Sequence, residues 1–156
     1  MTECLTIEEA CSEILDRRGL TPKKLGSDFT DSGYRVISAK LITEAGLELD
    51  RDNPRFVDQA TYKKWMSSPL LEGDVLLTSE APTGRVAYIK EKKEWCLGQR
   101  LFCLRPSEKV SGRYLYYALQ SPTVFWELTS RGTGTTVVGI RQSSLREVTI
   151  PIPAKE

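Results

Sequence analysis

The alternation of apolar and polar positions divides the chain into short elements. Thr6, followed three residues later by Glu9, has the form of a capping box. Ile7, Ala10, Cys11, Ile14 and Leu15 then recur at helical spacing. This pattern predicts a helix over residues 7–17, stopped by Gly19 and Pro22. Residues 34–38 read as a strand, and residues 44–54 as loop and turn with Gly46 and Asp52-Asn53-Pro54 as breakers. Asp58 caps a short helix that runs through Trp65 and Met66 and ends near Pro69. Gly73-Asp74 sets a turn before a strand at 75–78. Ala81-Pro82-Thr83-Gly84 makes a second turn before a strand at 86–89, so the two runs form a hairpin with a longer loop. Residues 96–97 and 100–104 form a further strand, ended by Arg105-Pro106.

In the last third, residues 112–120 carry Tyr114, Leu115, Ala118 and Leu119 on one helical face. A second short helix runs through Val124, Phe125, Trp126 and Leu128. Residues 131–136 make a polar loop, Ser143-Ser144 opens a helical turn, and residues 148–151 form a last strand. Strands and helices do not alternate regularly. The expected class is therefore α+β: one compact domain over residues 1–156, with a twisted, mainly antiparallel sheet and short helices packed on it.

The 156 residues suit one domain, and 40% apolar with 28% charged residues is ordinary for a globular fold. No run of 18 apolar residues exists to span a membrane, and the acidic start (Glu3, Glu8, Glu9, Glu13, Asp16) lacks the basic region of a secretory signal. Histidine is absent, which excludes Ser-His-Asp and Cys-His catalysis and most zinc sites. Cys4 and Cys11 are seven apart, as are Cys96 and Cys103. Neither pair has the tight spacing of a metal knuckle, and in one strand that offset puts two side chains on opposite faces. Four reduced thiols in a cytoplasmic protein are expected.

The net charge of +1 conceals an uneven distribution. Residues 1–16 carry five acids and no bases. Residues 17–40 carry a local +4, residues 41–60 a local −3, and residues 85–113 a local +5. Folding the two basic blocks together would create a positive face.

The tests for catalytic motifs fail. Residues 134–139 have the glycine spacing of a P-loop, but Ile140-Arg141 stands where Lys-Ser/Thr is required, and Val137 replaces the third glycine of a dinucleotide fingerprint. Asp74 with Glu91 and Lys93 loosely fits a metal-dependent nuclease, in which carboxylates hold the metal and the lysine attends the attacking water. The charge run at 90–94 equally suits a solvated hairpin tip. The loop at 131–136 offers amides and hydroxyls to a phosphate backbone, or simply connects two elements. Lys23-Lys24 and Lys63-Lys64 suit either solvent or phosphate. Tyr114, Tyr116 and Tyr117 suit base stacking, or core packing for Tyr114 and half-burial for the other two.

Several stretches taken together resemble one family. They are Arg18-Gly19-Leu20-Thr21-Pro22-Lys23-Lys24, Val36-Ile37-Ser38-Ala39-Lys40, the run from Gly73 to Ala87, Gly98-Gln99-Arg100-Leu101, Tyr114-Leu115-Tyr116-Tyr117 with Ser121-Pro122, the run from Gly132 to Ile140, and Ile150-Pro151-Ile152-Pro153. In this order they resemble the target-recognition domain of the DNA specificity subunit of type I restriction–modification enzymes, over residues 15–154. The resemblance implies a non-catalytic reader of one half of a split double-stranded DNA target, with no cofactor of its own. Its implied partners are an adenine methylation subunit that uses S-adenosylmethionine and a motor–nuclease restriction subunit. No Asn-Pro-Pro-Tyr-like methylation motif is present. The chain stops where the family's spacer helix would begin, so a single recognition domain is expected.

Base-contacting residues in that family vary with the target, so the candidates here come from chemistry and expected loop position. Lys23, Lys24, Lys63, Lys64 and Arg131 are candidates for phosphate contact, with hydroxyls from Thr133 and Thr135. Arg35, Lys40, Ser79 and Gln99 are candidates for base edges, where Arg and Lys suit guanine and Gln suits adenine. The competing readings are the nuclease of Asp74, Glu91 and Lys93, and a protein-interaction module that docks a methyltransferase.

Overall fold

A computed structural model describes residues 3–131 and 139–153. In chain order the elements are β1 (Glu3–Thr6), α1 (Ile7–Ala10), β2 (Cys11–Asp16), β3 (Tyr34–Ile37), β4 (Ile42–Thr43), β5 (Gly46–Leu47), β6 (Arg55–Val57), α2 (Gln59–Trp65), β7 (Val75–Thr78), β8 (Val86–Tyr88), β9 (Cys96–Leu97), β10 (Leu101–Pro106), α3 (Gly112–Ala118), α4 (Pro122–Ser130), α5 (Gln142–Glu147) and β11 (Thr149–Ile152). The class is α+β, and among the described residues every strand pair but one is antiparallel. The strands divide among four small sheets: β2-β10-β7-β8, β6-β3-β9, β1-β11 and β4-β5. The exception is β3 with β9, which run parallel.

The four-stranded sheet is buried on both faces. Successive residues of β10 point alternately to two separate cores: Phe102 and Leu104 into one, Leu101 and Cys103 into the other. Strand β7 does the same, with Val75 and Leu77 on one side and Leu76 on the other. The helical side closes the first core through Ile7, Leu115, Leu119, Val124, Leu128 and Leu145. The small sheet of β3, β6 and β9 and helix α2 close the second through Ile37, Val57, Tyr62, Trp65 and Leu97. Each fully buried Leu or Phe in these layers contributes about 1.5–3 kcal/mol by leaving water.

The capping box forms as expected. The Thr6 hydroxyl accepts from the Glu9 amide at 3.1 Å, and the Glu9 carboxylate accepts from the Thr6 amide at 3.0 Å. The predicted 7–17 helix, however, is a single turn followed by strand β2. The register of β2 against β10 explains the mistaken period. Glu13 pairs with Arg105 but Cys11 pairs with Pro106, so Ser12 is an extra residue in a β-bulge. The bulge puts Cys11 and Ile14, three apart, into the same core and imitates a helical spacing.

The strand expected over 96–104 is two strands in two sheets. Between them Gly98 donates to the Ile37 carbonyl at 2.7 Å, and a Cβ on Gly98 would lie 2.4 Å from that oxygen, so only glycine fits. Arg100 then takes a left-handed φ of 62° and turns the chain into β10. This turn sends Cys96 and Cys103 into the same core rather than to opposite faces. Burial pushes the Cys11 and Cys96 thiols up to about 12, and Cys103 also lies well above its ordinary value, so these three behave as small apolar side chains. Within the expected 44–54 loop, the structure forms the β4-β5 hairpin and a 3-10 turn at Leu49–Arg51.

Two polar networks tie the layers together. Asp74, 1% exposed, accepts from the Arg105 guanidinium at 3.0 and 2.8 Å and from the Leu71 amide at 2.8 Å. Arg105 also reaches Glu13, Ser68 and the Pro69 carbonyl. At the other end of β2, Asp16 accepts from Arg18 at 2.8 and 2.9 Å and from Gln142 at 3.1 Å. Arg18 lies over the Phe102 ring and donates to the Ile140 carbonyl.

Arg105→Met leaves the Asp74 charge buried without its partner. It should cost about 3–5 kcal/mol in urea unfolding, and adding Asp74→Asn should restore part of the loss. Burial alone would raise the Asp16 carboxyl, but the hydrogen bonds from Arg18 and Gln142 outweigh it and hold the group below its ordinary value. A carboxylate depressed on folding stabilises above its unfolded pKa, and that stability is lost as pH falls through the folded one. The acid limb of a stability–pH profile should therefore be shallower in Asp16→Asn than in the wild type.

Candidate nucleic-acid interface

Hydrogen bonds between loops build a groove at one end of the two sheets. The Ala39 amide donates to the Gln99 carbonyl at 3.2 Å, which together with the Gly98–Ile37 bond sets Ser38 and Lys40 beside Gln99. The Ser79 amide donates to the Arg100 carbonyl at 2.9 Å and fixes the left-handed Arg100 at the end of β7. A non-glycine residue in that conformation costs roughly 1–2 kcal/mol. Thr78 organises the neighbouring turn: its hydroxyl donates to the Pro82 carbonyl at 2.7 Å and accepts from the Arg85 amide at 2.9 Å.

Two adjoining depressions result, sharing Ser38, Lys40, Asp52 and Gln99. The outer one, of about 560 Å³, gathers Lys40, Arg51, Arg85 and Arg100. Its single acid is Asp52, 4.0 Å from Lys40 Nζ. Among the described residues, the guanidinium groups of Arg51, Arg85 and Arg100 make no ion pair or hydrogen bond. The inner depression, of about 190 Å³, is lined by Val36, Leu41 and Trp65 together with Phe29, Arg35 and Arg55. Arg35 donates through one terminal nitrogen to the Leu49 carbonyl. Its Nε is sealed from solvent without a partner among the described residues.

The residues proposed from sequence distribute unequally. Arg35, Lys40 and Gln99 come together in the inner depression. Lys23 and Lys24 are exposed just beyond its lining residue Pro22, and the Lys24 ammonium donates to the Gly19 carbonyl at 2.8 Å. Lys63 and Lys64 are exposed on α2, while the buried face of that helix supplies Trp65 to the depression. Arg131 does not line the groove. Its guanidinium lies 3.9 Å from Glu127 and 3.3 Å from Glu147. Thr133 and Thr135 lie outside the described residues.

Ser79 corrects the expectation of a base-reading side chain. It is fully buried, its hydroxyl has no partner among the described residues, and its carbonyl accepts from Ile140 and from the Thr83 hydroxyl. It organises the groove through its backbone. Arg51, Arg85 and Arg100 were not singled out from sequence, although Arg85 and Arg100 belong to the basic 85–113 block. Of the tyrosines, Tyr114 is half-buried and donates to the Pro151 carbonyl, Tyr116 is half-buried, and Tyr117 is 65% exposed.

The nuclease constellation is not assembled. Both Asp74 oxygens are committed to Arg105, with Leu71 sharing one, and Glu91 pairs with Lys93 at 3.0 Å. Among the described residues, no three His, Cys, Asp or Glu side chains cluster closely enough to hold a metal ion.

Comparison with known proteins places this geometry. The chain is 36% identical over 140 residues to the type I restriction enzyme MjaIX specificity subunit of Methanocaldococcus jannaschii, a match covering 88% of this chain and 27% of that protein. The fold is shared with the S subunit of a type I restriction-modification system from M. genitalium (TM-score 0.62, 21% identity, 97% of this chain, 34% of that chain). It is also shared with the HsdS subunit of Thermoanaerobacter tengcongensis (TM-score 0.61, 24% identity, 97% of this chain, 33% of that chain). The present chain thus spans about a quarter to a third of the length of these relatives. Residues 11–156 match the family model described as the type I restriction modification DNA specificity domain, and the chain belongs to that family.

Proposed function

We propose that this chain is a single recognition domain that reads one half of a split target in double-stranded DNA. On this reading it is a non-catalytic component that serves an adenine methylation subunit and a motor–nuclease restriction subunit. The observation that carries it is the groove itself: Lys40, Arg51, Arg85 and Arg100 converge there against one carboxylate, with three guanidinium groups unpaired among the described residues. Cations placed this way neutralise phosphates, while Gln99 and Ser38 between them present hydrogen-bonding groups suited to base edges. Family membership supports the same reading. A docking role alone leaves the clustered, unpaired arginines without use.

Duplex binding should fall steeply with salt. Arg85→Ala and Arg100→Ala should each weaken all sequences alike and lower the slope of log K against log salt by roughly one. Arg131→Ala should leave that slope unchanged, because Glu127 and Glu147 already hold the guanidinium. Gln99→Ala should cost about 1–3 kcal/mol on the selected target and nothing on random duplex. Equal binding by all these variants at every salt concentration would remove the groove as the contact surface. Ser79→Ala should bind DNA as the wild type does and unfold at an equal or higher urea midpoint, since the hydroxyl it removes is buried without a partner among the described residues.

A further inference from the structure

The inner depression has properties that phosphate contact does not use. Its lining includes a set of apolar side chains, Leu20, Pro22, Val36, Leu41 and Trp65, whereas a phosphate prefers a cradle of amides and cations. At about 190 Å³ it falls below the roughly 300–1,000 Å³ of sites for drug-sized ligands, so it suits a single ring system. Phe29, 46% exposed, stands at its edge beneath the Arg55 guanidinium, 5.5 Å from the ring centroid. An exposed aromatic ring beside a small apolar hole is a stacking surface.

The polar groups around the depression point to the same class of occupant. Arg35 lines the depression, held by the bond from one terminal nitrogen to the Leu49 carbonyl. The side chains of Ser38, Asn53 and Gln99 also line the depression, and among the described residues none makes a hydrogen bond. A flat heterocycle covers the apolar side chains and meets the Ser38 hydroxyl and the Asn53 and Gln99 amides at its edge. The outer depression shares one wall with the inner one and carries the cations for the phosphates that flank such a ring.

We propose that the depression between Arg35, Phe29 and Trp65 receives one nucleobase rotated out of the duplex. The inference rests on the DNA-binding reading and deepens it: recognition then includes unstacking one base, whose polar edge meets Ser38, Asn53 and Gln99. Extrusion costs unpairing and unstacking energy, least where the base is already mispaired. A mismatch at the extruded position should therefore tighten binding.

The test uses the full chain and a duplex selected by it from a random pool. Each position of that duplex is mispaired in turn, and affinity is read by fluorescence anisotropy. One position should bind about tenfold tighter when mispaired. Asn53→Ala should abolish that gain, and so should Phe29→Ala, both changes at exposed positions that leave both cores intact. If the paired duplex binds but no mismatch tightens it, or if the gain survives in both variants, the extruded-base pocket is wrong while the DNA reading stands. If nucleoside monophosphates bind as tightly as the selected duplex, the depression serves a free nucleotide and the inference fails. If no duplex is selected, the DNA reading falls and the inference falls with it.

Discussion

Double burial of the β2-β10-β7-β8 sheet is the constraint on which the rest of the structure depends. Each strand sends alternate side chains into one of two cores, so a slip of one residue would exchange Phe102 and Leu104 with Leu101 and Cys103 and misfit both. The register is therefore fixed from above and below. Asp74 and Arg105 add a directional constraint at one end of the sheet, where charge and hydrogen-bond geometry must both be met. At the other end the same register carries Ser79 to Arg100, and with them the loops that form the groove.

The groove gathers arginines that have no carboxylate partner among the described residues. Arg18, Arg105, Arg131 and Arg146 all lie against carboxylates. These cations hold the protein to itself. Arg51, Arg85 and Arg100 face a shared space with only Asp52 nearby and have no such partner among the described residues. A positive field arises here from the pairing pattern, in a molecule whose net charge is +1.

The hairpin of β7 and β8, the capped helix after Asp58 and the helices α3 and α4 are all readable along the chain, because turn residues, the Asp58 cap and apolar spacing are local features. Strand β2 is not, since a bulge opposite Arg105-Pro106 is a fact about its partner. The division at residues 98–100 is equally hidden: Gly98 is required by the approach of Ile37, which lies far away in sequence. For the candidate site, residue type and expected loop position pick out Arg35, Lys40 and Gln99, which the structure brings to one depression. Arg51, which lines the neighbouring depression, lies in a stretch of net negative charge, and segment charge says nothing about which carboxylates fold elsewhere. Ser79 misled for the opposite reason: its chemistry suited a reader, but burial was decided by Arg100 and Ile140.

Strands β1 and β11 run antiparallel along their whole length, with Glu3 opposite Ile152 and Thr6 opposite Thr149. The polypeptide thus enters and leaves this body through adjacent, hydrogen-bonded strands. A unit with such a paired stem can be carried within a larger chain much as a bead is carried on a clasp, because the host sees only two neighbouring attachment points. Exchange of everything between the two strands leaves those points where they were. A change of groove then asks no rearrangement of whatever chain carries it.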